Sequence, residues 1–405
     1  MDRIVIFTYL PLKTEFEMRF WNEMSDAFKN KGYQVVHFGN KRLNNINVIN
    51  INMPRNLDTL YEEYKSEIFI YIERKKSILG RNVLADCLER EIDFGQVDAS
   101  RSRNVGYYVL RYIEQKILEY CNKYYVGAII TWGQLTPVSL LARKIGNVKT
   151  IPTFEAERAP LNNFIWIERE GIFGEAKVWK CKIEQNVDLI RLGKDIRKEL
   201  IRNVYGFREN GNSRGFTNFI PKDKKVFFLP MDNIYEVGWL PERYSISQKR
   251  FPFFCEPMDY INKLNLWVKE HNGILIVKPH PSCNYFDVSK EYDFIMTKGD
   301  LKELLILADV VICNYTKVAF AALALKKKVV VLAKNIILLS GICNYYPRIE
   351  EIKWEEVNCE LDRNSSDIID NFFGWLAKKY FWSCDNICDF VEKICERSFG
   401  KSMKE

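Results

Sequence analysis

Ile274-Leu-Ile-Val-Lys278-Pro279-His280-Pro281-Ser282 is the most informative stretch for the architecture, because an aliphatic run stops abruptly at a polar turn. Short runs of this composition are typical of strands buried inside a parallel sheet. Proline has no N–H for the next rung of a sheet, so the chain is expected to turn at Pro279. A helical pattern over about residues 257–271 precedes the run. The stretch therefore predicts a helix–strand–turn unit of an α/β protein.

The same unit recurs along the chain in two series. The predicted strands of the first series are 3–9, 33–38, 47–51, 127–132 and 148–152, and those of the second are 225–230, 274–278, 294–297, 309–313 and 329–333. Helices are expected at about 257–271, 300–308 and 316–325. Residues 206–223, rich in Gly, Asn and Lys, separate the series as an interdomain linker would.

These patterns predict two Rossmann-like α/β domains that face each other across a cleft. The predicted domains are 1–210 and 211–370, and the aromatic-rich helices of 371–405 are expected to recross onto the first domain. Open α/β sheets bind ligands at the carboxyl ends of their strands. Residues that follow the predicted strands are therefore the candidates for a site.

Composition excludes several classes of protein. The chain has 405 residues, a net charge of +7, 47% hydrophobic and 28% charged residues, which is the ordinary globular range. No apolar run reaches the ~18 residues of a membrane span. The N-terminus is predicted to be a strand and not a signal peptide, so we expect a cytoplasmic protein, with the inner face of the membrane as a further place of action. Charge lies in short clusters without a basic stripe, so no nucleic-acid partner is expected.

Metal and cofactor chemistry is not expected either. Eleven cysteines without a CxxC pair and only three histidines favour neither a disulfide framework nor a zinc site. No GxGxxG follows a strand, and Cys395 stands where a P-loop ending at Gly400-Lys401-Ser402 needs its first glycine. No Asp-x-Asp pair is present to hold a divalent metal with a sugar diphosphate. We therefore expect no metal and no cofactor.

Three turns of the second series carry chemistry. Lys278 and His280 can hold a phosphate, with Pro281 and Ser282 completing the turn. Asn314, Tyr315 and Thr316 begin the next helix, where backbone N–H groups are available to a phosphate. Asp232 follows the first strand and is the leading catalytic candidate. The alternatives are a solvated strand end for Lys278, a turn role for His280, helix capping for Asn314 and Thr316, and an Asx-turn for Asp232.

The first domain offers two further segments. Trp132, Gly133 and Gln134 close a strand before the helix that starts near Pro137. Glu155, Glu157 and Arg158 follow the next predicted strand. Two carboxylates beside an arginine suit an acid/base and an anion clamp, and they equally suit a self-neutralising surface turn.

Together these segments resemble, in order and spacing, a family of bacterial retaining β-Kdo glycosyltransferases of the capsule and O-antigen type. The resemblance lies in Trp132-Gly133-Gln134, in Glu155 to Pro160 with Trp166 and Glu168, in Lys278-Pro279-His280-Pro281 and in Asn314-Tyr315-Thr316. Two positions depart from the family pattern: Asn-Tyr-Thr replaces a serine-rich helix start, and Ala156-Glu157 replaces a glycine near the glutamate.

The resemblance implies a GT-B-like fold and transfer of Kdo from CMP-β-Kdo, without a metal, to a hydroxyl of a lipopolysaccharide O-antigen or capsule. Domain 1–210 would then be the acceptor side and 211–370 the CMP-sugar side. Lys278, His280, Pro281, Ser282, Asn314, Tyr315, Thr316 and Arg158 would bind the donor, and Trp132, Gly133 and Gln134 would line the acceptor side or the cleft. Asp232 is the expected nucleophile of a double displacement, with Glu155 or Glu157 as the base.

Other functions fit the same residues. One is a GT-B transferase that uses CMP-sialic acid or a UDP-hexose, and another is a non-catalytic module that binds a sugar nucleotide or a polysaccharide. The expected partners are CMP-Kdo, a lipid-linked glycan acceptor, the membrane surface and neighbouring glycosyltransferase domains. The acceptor sugar and its linkage position leave no mark in the sequence.

Overall fold

The computed structural model describes residues 2–39, 41–52, 61, 62, 64–68, 77–84, 87, 99–133, 136–169, 171, 176, 178, 181–202, 221, 223–234, 237, 239, 256–281, 283, 285–362 and 365–400. Two site candidates, Gln134 and Ser282, lie outside these ranges, as do residues 206–220 of the expected linker.

Strands and helices alternate in both halves of the chain. The strands are β1 (Arg3–Thr8), β2 (Tyr33–Gly39), β3 (Val48–Asn52), β4 (Tyr125–Trp132), β5 (Thr153–Arg158), β6 (Ile165–Glu168), β7 (Lys225–Pro230), β8 (Gly273–Lys278), β9 (Ile295–Met296), β10 (Val310–Cys313), β11 (Lys328–Val331) and β12 (Asn344–Tyr345). The α-helices are α1 (Glu15–Asn30), α2 (Ala99–Lys123), α3 (Pro137–Lys149), α4 (Val187–Arg202), α5 (Pro257–Glu270), α6 (Leu301–Leu307), α7 (Val318–Ala324), α8 (Trp354–Asn358), α9 (Ser365–Trp375) and α10 (Ile387–Gly400).

The chain divides into two compact units. Unit 1 consists of Met1–Ala159, Asn163–Ile172 and Phe381–Glu405, and unit 2 consists of Pro160–Asn162 and Phe173–Tyr380. Each unit has its own six-stranded sheet, so the predicted α/β class with two Rossmann-like halves is confirmed. No helix within the described residues is both long enough and apolar enough to cross a membrane.

In unit 1 the strand order is β3-β2-β1-β4-β5-β6, parallel except for β6, which runs antiparallel to β5. The prediction of a strand at 148–152 is wrong, because α3 continues to Lys149 and β5 starts only at Thr153. Thr150 ends the helix in the left-handed conformation at φ 56°, and its N–H donates to the carbonyls of Gly146 and Asn147. Glu155, Glu157 and Arg158 therefore lie within a strand instead of after one.

Two helices cover one face of this sheet. A capping box starts α1: Thr14 Oγ1 accepts the N–H of Glu17, while Glu17 Oε2 accepts the N–H of Thr14. The chain returns from unit 2 at Phe381, and the next residue, Trp382, exchanges both backbone hydrogen bonds with Ile165. Helix α10 then packs Phe390 edge-on against Phe154 at 5.6 Å between ring centroids. The C-terminal helix thus completes the core of unit 1, as expected from the recrossing.

In unit 2 the strand order is β12-β11-β10-β7-β8-β9, and all paired strands are parallel. The strands that are central in this order, β7 and β10, read KVFFLP and VVIC; every residue in them is buried apart from Lys225. Aliphatic and aromatic side chains on both faces explain why these runs are continuous instead of alternating.

Helix α4 belongs to unit 2, although the predicted boundary at 210/211 places it in the first domain. It packs against α9 so closely that the two backbones touch. A Cβ on Gly193 would overlap Asp370 O, and a Cβ on Gly374 would overlap Leu189 O. Arg197 and Asp370 join the same two helices through a bidentate ion pair. The division therefore falls near residue 173, and the return falls at 381 instead of 371.

Candidate functional site

The sheet of unit 2 reverses its strand order between β7 and β10. From β7 the chain steps outward to β8 and β9, and it then comes back to β10 on the other side of β7. A reversal of this kind leaves a crevice at the carboxyl ends of the two strands, and ligands of open α/β sheets bind there. Asp232 follows β7 and Asn314 follows β10, so two predicted site segments meet at this point.

A hydrogen bond joins the two segments. The backbone N–H of Tyr315 donates to Asp232 Oδ2 at 3.1 Å. The Asp232 side chain is buried, and its residue is 4% exposed. A backbone N–H that donates to a buried carboxylate fixes the orientation of that carboxylate. Asp232 therefore presents an oriented carboxylate at the reversal of the sheet.

His280 stands on the neighbouring strand end. Pro230 and Lys278 are register partners at the ends of β7 and β8, and Met231 N–H donates to Lys278 O. Burial, and secondarily the charge of Lys317, lowers the pKa of His280 to about 4. The imidazole is therefore neutral at pH 7, so it can donate a single hydrogen bond from one ring nitrogen.

The Lys278 side chain holds a neighbouring loop in place. Its ammonium donates to the carbonyls of Gly299 at 2.6 Å and Lys298 at 3.1 Å. Burial lowers the pKa of this ammonium, and the nearby Asp300 carboxylate opposes the shift. Two of its three N–H donors hold the loop before α6, so Lys278 supports the edge of the site more than it reaches into it.

The turn after β10 divides its side chains between core and solvent. Asn314 and Tyr315 are 1% and 4% exposed, and Tyr315 belongs to the apolar core of unit 2. Asn314 lies beside the buried hydroxyl of Tyr260, whose pKa burial raises. Thr316 Oγ1 accepts the N–H of Val318, the first residue of α7. For a ligand, this turn offers Thr316 and the following Lys317 instead of the Asn314 and Tyr315 side chains.

The sheet of unit 1 also reverses, between β1 and β4. Thr8 ends β1 and Thr131 is the second-last residue of β4, and a hydrogen bond of 2.7 Å joins their hydroxyl groups. Tyr9, the residue after β1, has φ 51°, which is unfavourable for a bulky side chain and typical of functional turns. Trp132 ends β4, and Gly133 follows it in the left-handed region at φ 71°. Trp132 and Gly133 thus lie at the reversal.

Strand alternation separates the carboxylates of β5 from its arginine. Phe154 and Ala156 face the helices α1 and α10, in the same core cluster, and Arg158 shares that face. Glu155 and Glu157 point to the opposite face. The two carboxylates and the arginine are therefore neighbours in sequence but lie on opposite faces of β5, so they do not form one combined acid/base and anion clamp.

The two glutamates have different surroundings. Glu155 is 1% exposed and pairs with Arg143 of α3 at 2.9 Å. It is also the register partner of Glu168 on β6, another buried carboxylate. Glu157 is less buried, and its Oε1 accepts the N–H of Arg158. Glu157 is thus the more accessible of the two candidate bases.

Several residues of these two edges escape a reading of the sequence. Lys317 directly follows Thr316, so a search for cations in that turn would have found it. Glu17 is visible as the last residue of a Thr-x-x-Glu capping box, although its contact with Arg158 is not. Tyr260 and Arg143 carry no local signal, because only the packing of helices α5 and α3 brings them beside Asn314 and Glu155.

Comparison with known proteins finds no protein-family model that matches the chain and no curated protein that matches it in sequence. The chain is similar to the solved structure of Thermosulfurimonas dismutans KpsC, β-Kdo 2,7-transferase, with 10% identity and a TM-score of 0.44 over 97% of this chain and 99% of that one. It is also similar to Thermosulfurimonas dismutans KpsC, β-Kdo 2,4-transferase, with 12% identity and a TM-score of 0.42 over 66% of this chain and 87% of that one. A third similar structure is the UDP-GlcNAc 2-epimerase of Methanocaldococcus jannaschii, with 13% identity and a TM-score of 0.37 over 90% of this chain and 94% of that one. All three likenesses concern backbone architecture.

Proposed function

We propose that the chain is a retaining glycosyltransferase that moves Kdo from CMP-β-Kdo to a hydroxyl of a bacterial surface polysaccharide. The observation that carries the proposal is the oriented, buried Asp232 carboxylate at the sheet reversal of unit 2, beside the turns of His280 and Thr316. The sequence motifs at these turns resemble those of β-Kdo transferases. The donor accordingly binds to unit 2.

The proposed reaction has two displacements. An Asp232 oxygen bonds to the anomeric carbon of Kdo while the bond from that carbon to the phosphate oxygen breaks, and CMP leaves with the electron pair. The acceptor hydroxyl then attacks the same carbon, gives its proton to a base and releases the carboxylate. Two inversions at one carbon give net retention. We assign the base to Glu157, because Glu155 is already paired with Arg143.

The leaving phosphate needs donors that compensate its charge. In the proposal these are the neutral His280 imidazole, the Lys317 ammonium and the Thr316 hydroxyl. A cation and two neutral donors supply this compensation without a metal ion, so we propose metal-independent transfer. We further propose that the acceptor is a lipid-linked glycan at the cytoplasmic face of the membrane.

The first experiment asks which donor the protein binds. CMP-Kdo, CMP-sialic acid and a UDP-hexose are compared by thermal shift, since a ligand that binds only the native state raises its stability by RT ln(1 + [L]/Kd). CMP-Kdo should give the largest shift, and incubation with it should add one Kdo to the protein mass at Asp232. A larger shift with a UDP-hexose would contradict the choice of donor.

Asp232→Asn tests the nucleophile without removing the link between the two turns. An asparagine oxygen still accepts the Tyr315 N–H, so folding and donor binding should persist. Transfer and the covalent adduct should be lost, with turnover reduced at least about a thousandfold. Unchanged turnover in this variant would show that Asp232 only joins the two turns.

A further inference from the structure

Arg158 is held in one orientation by contacts within unit 1. Its Nε donates to Glu17 Oε1 at 2.6 Å, and its Nη2 contacts the same oxygen at 2.5 Å. The guanidinium carbon lies 5.7 Å from the ring centroid of Trp132, which places the cation over the indole. Two separate contacts therefore fix the direction of the guanidinium.

Glu17 is itself buried and hydrogen-bonded. Its side chain is 2% exposed, and its second oxygen accepts the N–H groups of Lys13 at 2.8 Å and Thr14 at 3.2 Å. One buried carboxylate thus ties the start of α1 to the end of β5. A long, flexible arginine side chain loses rotamer freedom before any ligand arrives, which reduces the entropy cost of binding.

The remaining donors of Arg158 point away from this anchor. The side chain keeps 47% of its surface exposed. Its bonds to Glu17 use Nε and Nη2, and among the described residues Nη1 has no acceptor within hydrogen-bond distance. The negative charge of Glu17 is offset by two backbone N–H groups at the positive end of α1.

We propose that Arg158, anchored by Glu17 and Trp132, binds an anionic group of the acceptor, a carboxylate or a phosphate. This inference rests on the proposed function, which supplies the acceptor. It departs from the expectation that Arg158 binds the donor. The guanidinium presents Nη1 and the outer hydrogen of Nη2 to the anion, while Nε stays with Glu17. Acidic acceptors are therefore favoured over neutral ones.

Direct binding without donor tests the subsite independently of transfer. Titration calorimetry uses three probes: a uronic-acid disaccharide, its neutral parent and a hexose 1-phosphate. Arg158→Ala should weaken the acidic probes by about tenfold to a hundredfold, as expected for a charged hydrogen-bond pair, and leave the neutral probe unchanged. The tighter of the two acidic probes identifies the anion as carboxylate or phosphate. Lys31→Ala, which removes a cation paired with Glu392 at the far end of α1, is the matched control.

Glu17→Gln separates orientation from charge. The glutamine oxygen can still accept the capping N–H groups, so α1 should form, as checked by circular dichroism. If orientation matters, the acidic probes bind at least about fivefold more weakly although the local charge becomes more positive. Tighter binding in this variant, or unchanged binding in Arg158→Ala, would overturn the proposal.

The two proposals fail in different ways. If the wild type transfers no Kdo to any acceptor and Arg158→Ala still loses the acidic probes, the transferase is refuted and the anion subsite stands. If the wild type transfers Kdo and Arg158→Ala uses acidic and neutral acceptors equally well, with wild-type KM for both, the subsite is refuted and the transferase stands.

Discussion

Glu155 and Glu157 are two residues apart on β5, yet their contacts predict opposite consequences of the same substitution. Glu155→Gln leaves Arg143 without its buried partner and should lower the free energy of unfolding by roughly 2 kcal/mol, below the range for fully buried pairs because Arg143 is 27% exposed. Glu157→Gln should leave stability unchanged and reduce turnover by about a hundredfold or more. Urea denaturation and acceptor-saturated kcat measure the two effects.

The pair serves as its own control. Equal losses of turnover without a difference in stability would contradict the distinction drawn from the Arg143 contact. Full turnover in Glu157→Gln would remove that residue from the mechanism while leaving the nucleophile untested.

Histidine ionisation provides a test of burial. Burial lowers the pKa of His37 to about 4, although a hydrogen bond from its Nδ1 to Asn50 Oδ1 opposes the shift, and His280 also has a pKa of about 4. An unfolded histidine has a pKa of about 6.5, so the unfolded chain binds more protons between pH 6.5 and 4. Stability conferred by the neutral imidazoles is complete above pH 6.5 and falls as the pH drops toward 4.

With only three histidines, NMR titration of their ring Cε1–H signals reads this directly. Two signals should titrate near pH 4, and donor binding should show no step between pH 6 and 7 from His280. His280→Gln should remove one of the two low-pH signals. A His280 signal that titrates near pH 6.5 would mean that its ring is in water and not in the crevice.

Only some of these residue contacts could be predicted from the sequence. Asp232, His280 and Thr316 were predicted because each follows a recognisable strand, and parallel strands bring their carboxyl ends to one edge. The Glu155–Arg143 pair and the separation of Arg158 from the glutamates were not predicted. They depend on where β5 begins, and a shift of the strand by a few residues changes which side chains share a face.

At the scale of elements, the crossing of α4 and α9 depends on two glycines. Gly374→Ala would place a methyl group against the carbonyl oxygen of Leu189, and backbone atoms cannot yield as a flexible side chain would. The helices must separate, which also strains the ion pair between Arg197 and Asp370. We expect a loss of about 3 kcal/mol or more in the free energy of unfolding, measured by urea denaturation.

Gly32→Ala is the matched comparison. Gly32 has φ 82° and nothing within 4 Å of an added Cβ, so that variant reports only the cost of a left-handed alanine, roughly 1 kcal/mol. If Gly374→Ala cost no more than Gly32→Ala, the close crossing of α4 and α9 would be contradicted.

Most elements follow from apolar runs and caps in the sequence. The strands at 225–230 and 274–278 lie within one residue of their predicted bounds, since continuous aliphatic runs flanked by turns have few alternatives. The strand at 148–152 was wrong because Val148, Ile151 and Pro152 look like a buried run, whereas Val148 is 56% exposed at the end of a helix. The short strands β6 and β12 were not predicted, since four and two residues are too few to show an alternating pattern of apolar side chains.

At the scale of the whole molecule, two sheets could be predicted and the chain's path between them only in part. The alternation of strands and helices indicates two α/β halves, and the aromatic C-terminus indicates a recrossing. The place of the division could not be predicted, because it is set by the contact of α4 with α9, in which Arg197 and Asp370 pair although they lie 173 positions apart in the sequence. Composition marks linkers, and it does not mark which unit a helix joins.

The last part of the chain also supplies part of the first unit's interior. Ile387, Phe390, Val391 and Ile394 of α10 share one core cluster with Phe7 and Trp21. During synthesis, therefore, the N-terminal sheet emerges from the ribosome long before the helix that covers it. Its apolar surface remains open to chaperones or to misassembly until α10 has also been synthesised, whereas unit 2 is synthesised in full before that helix.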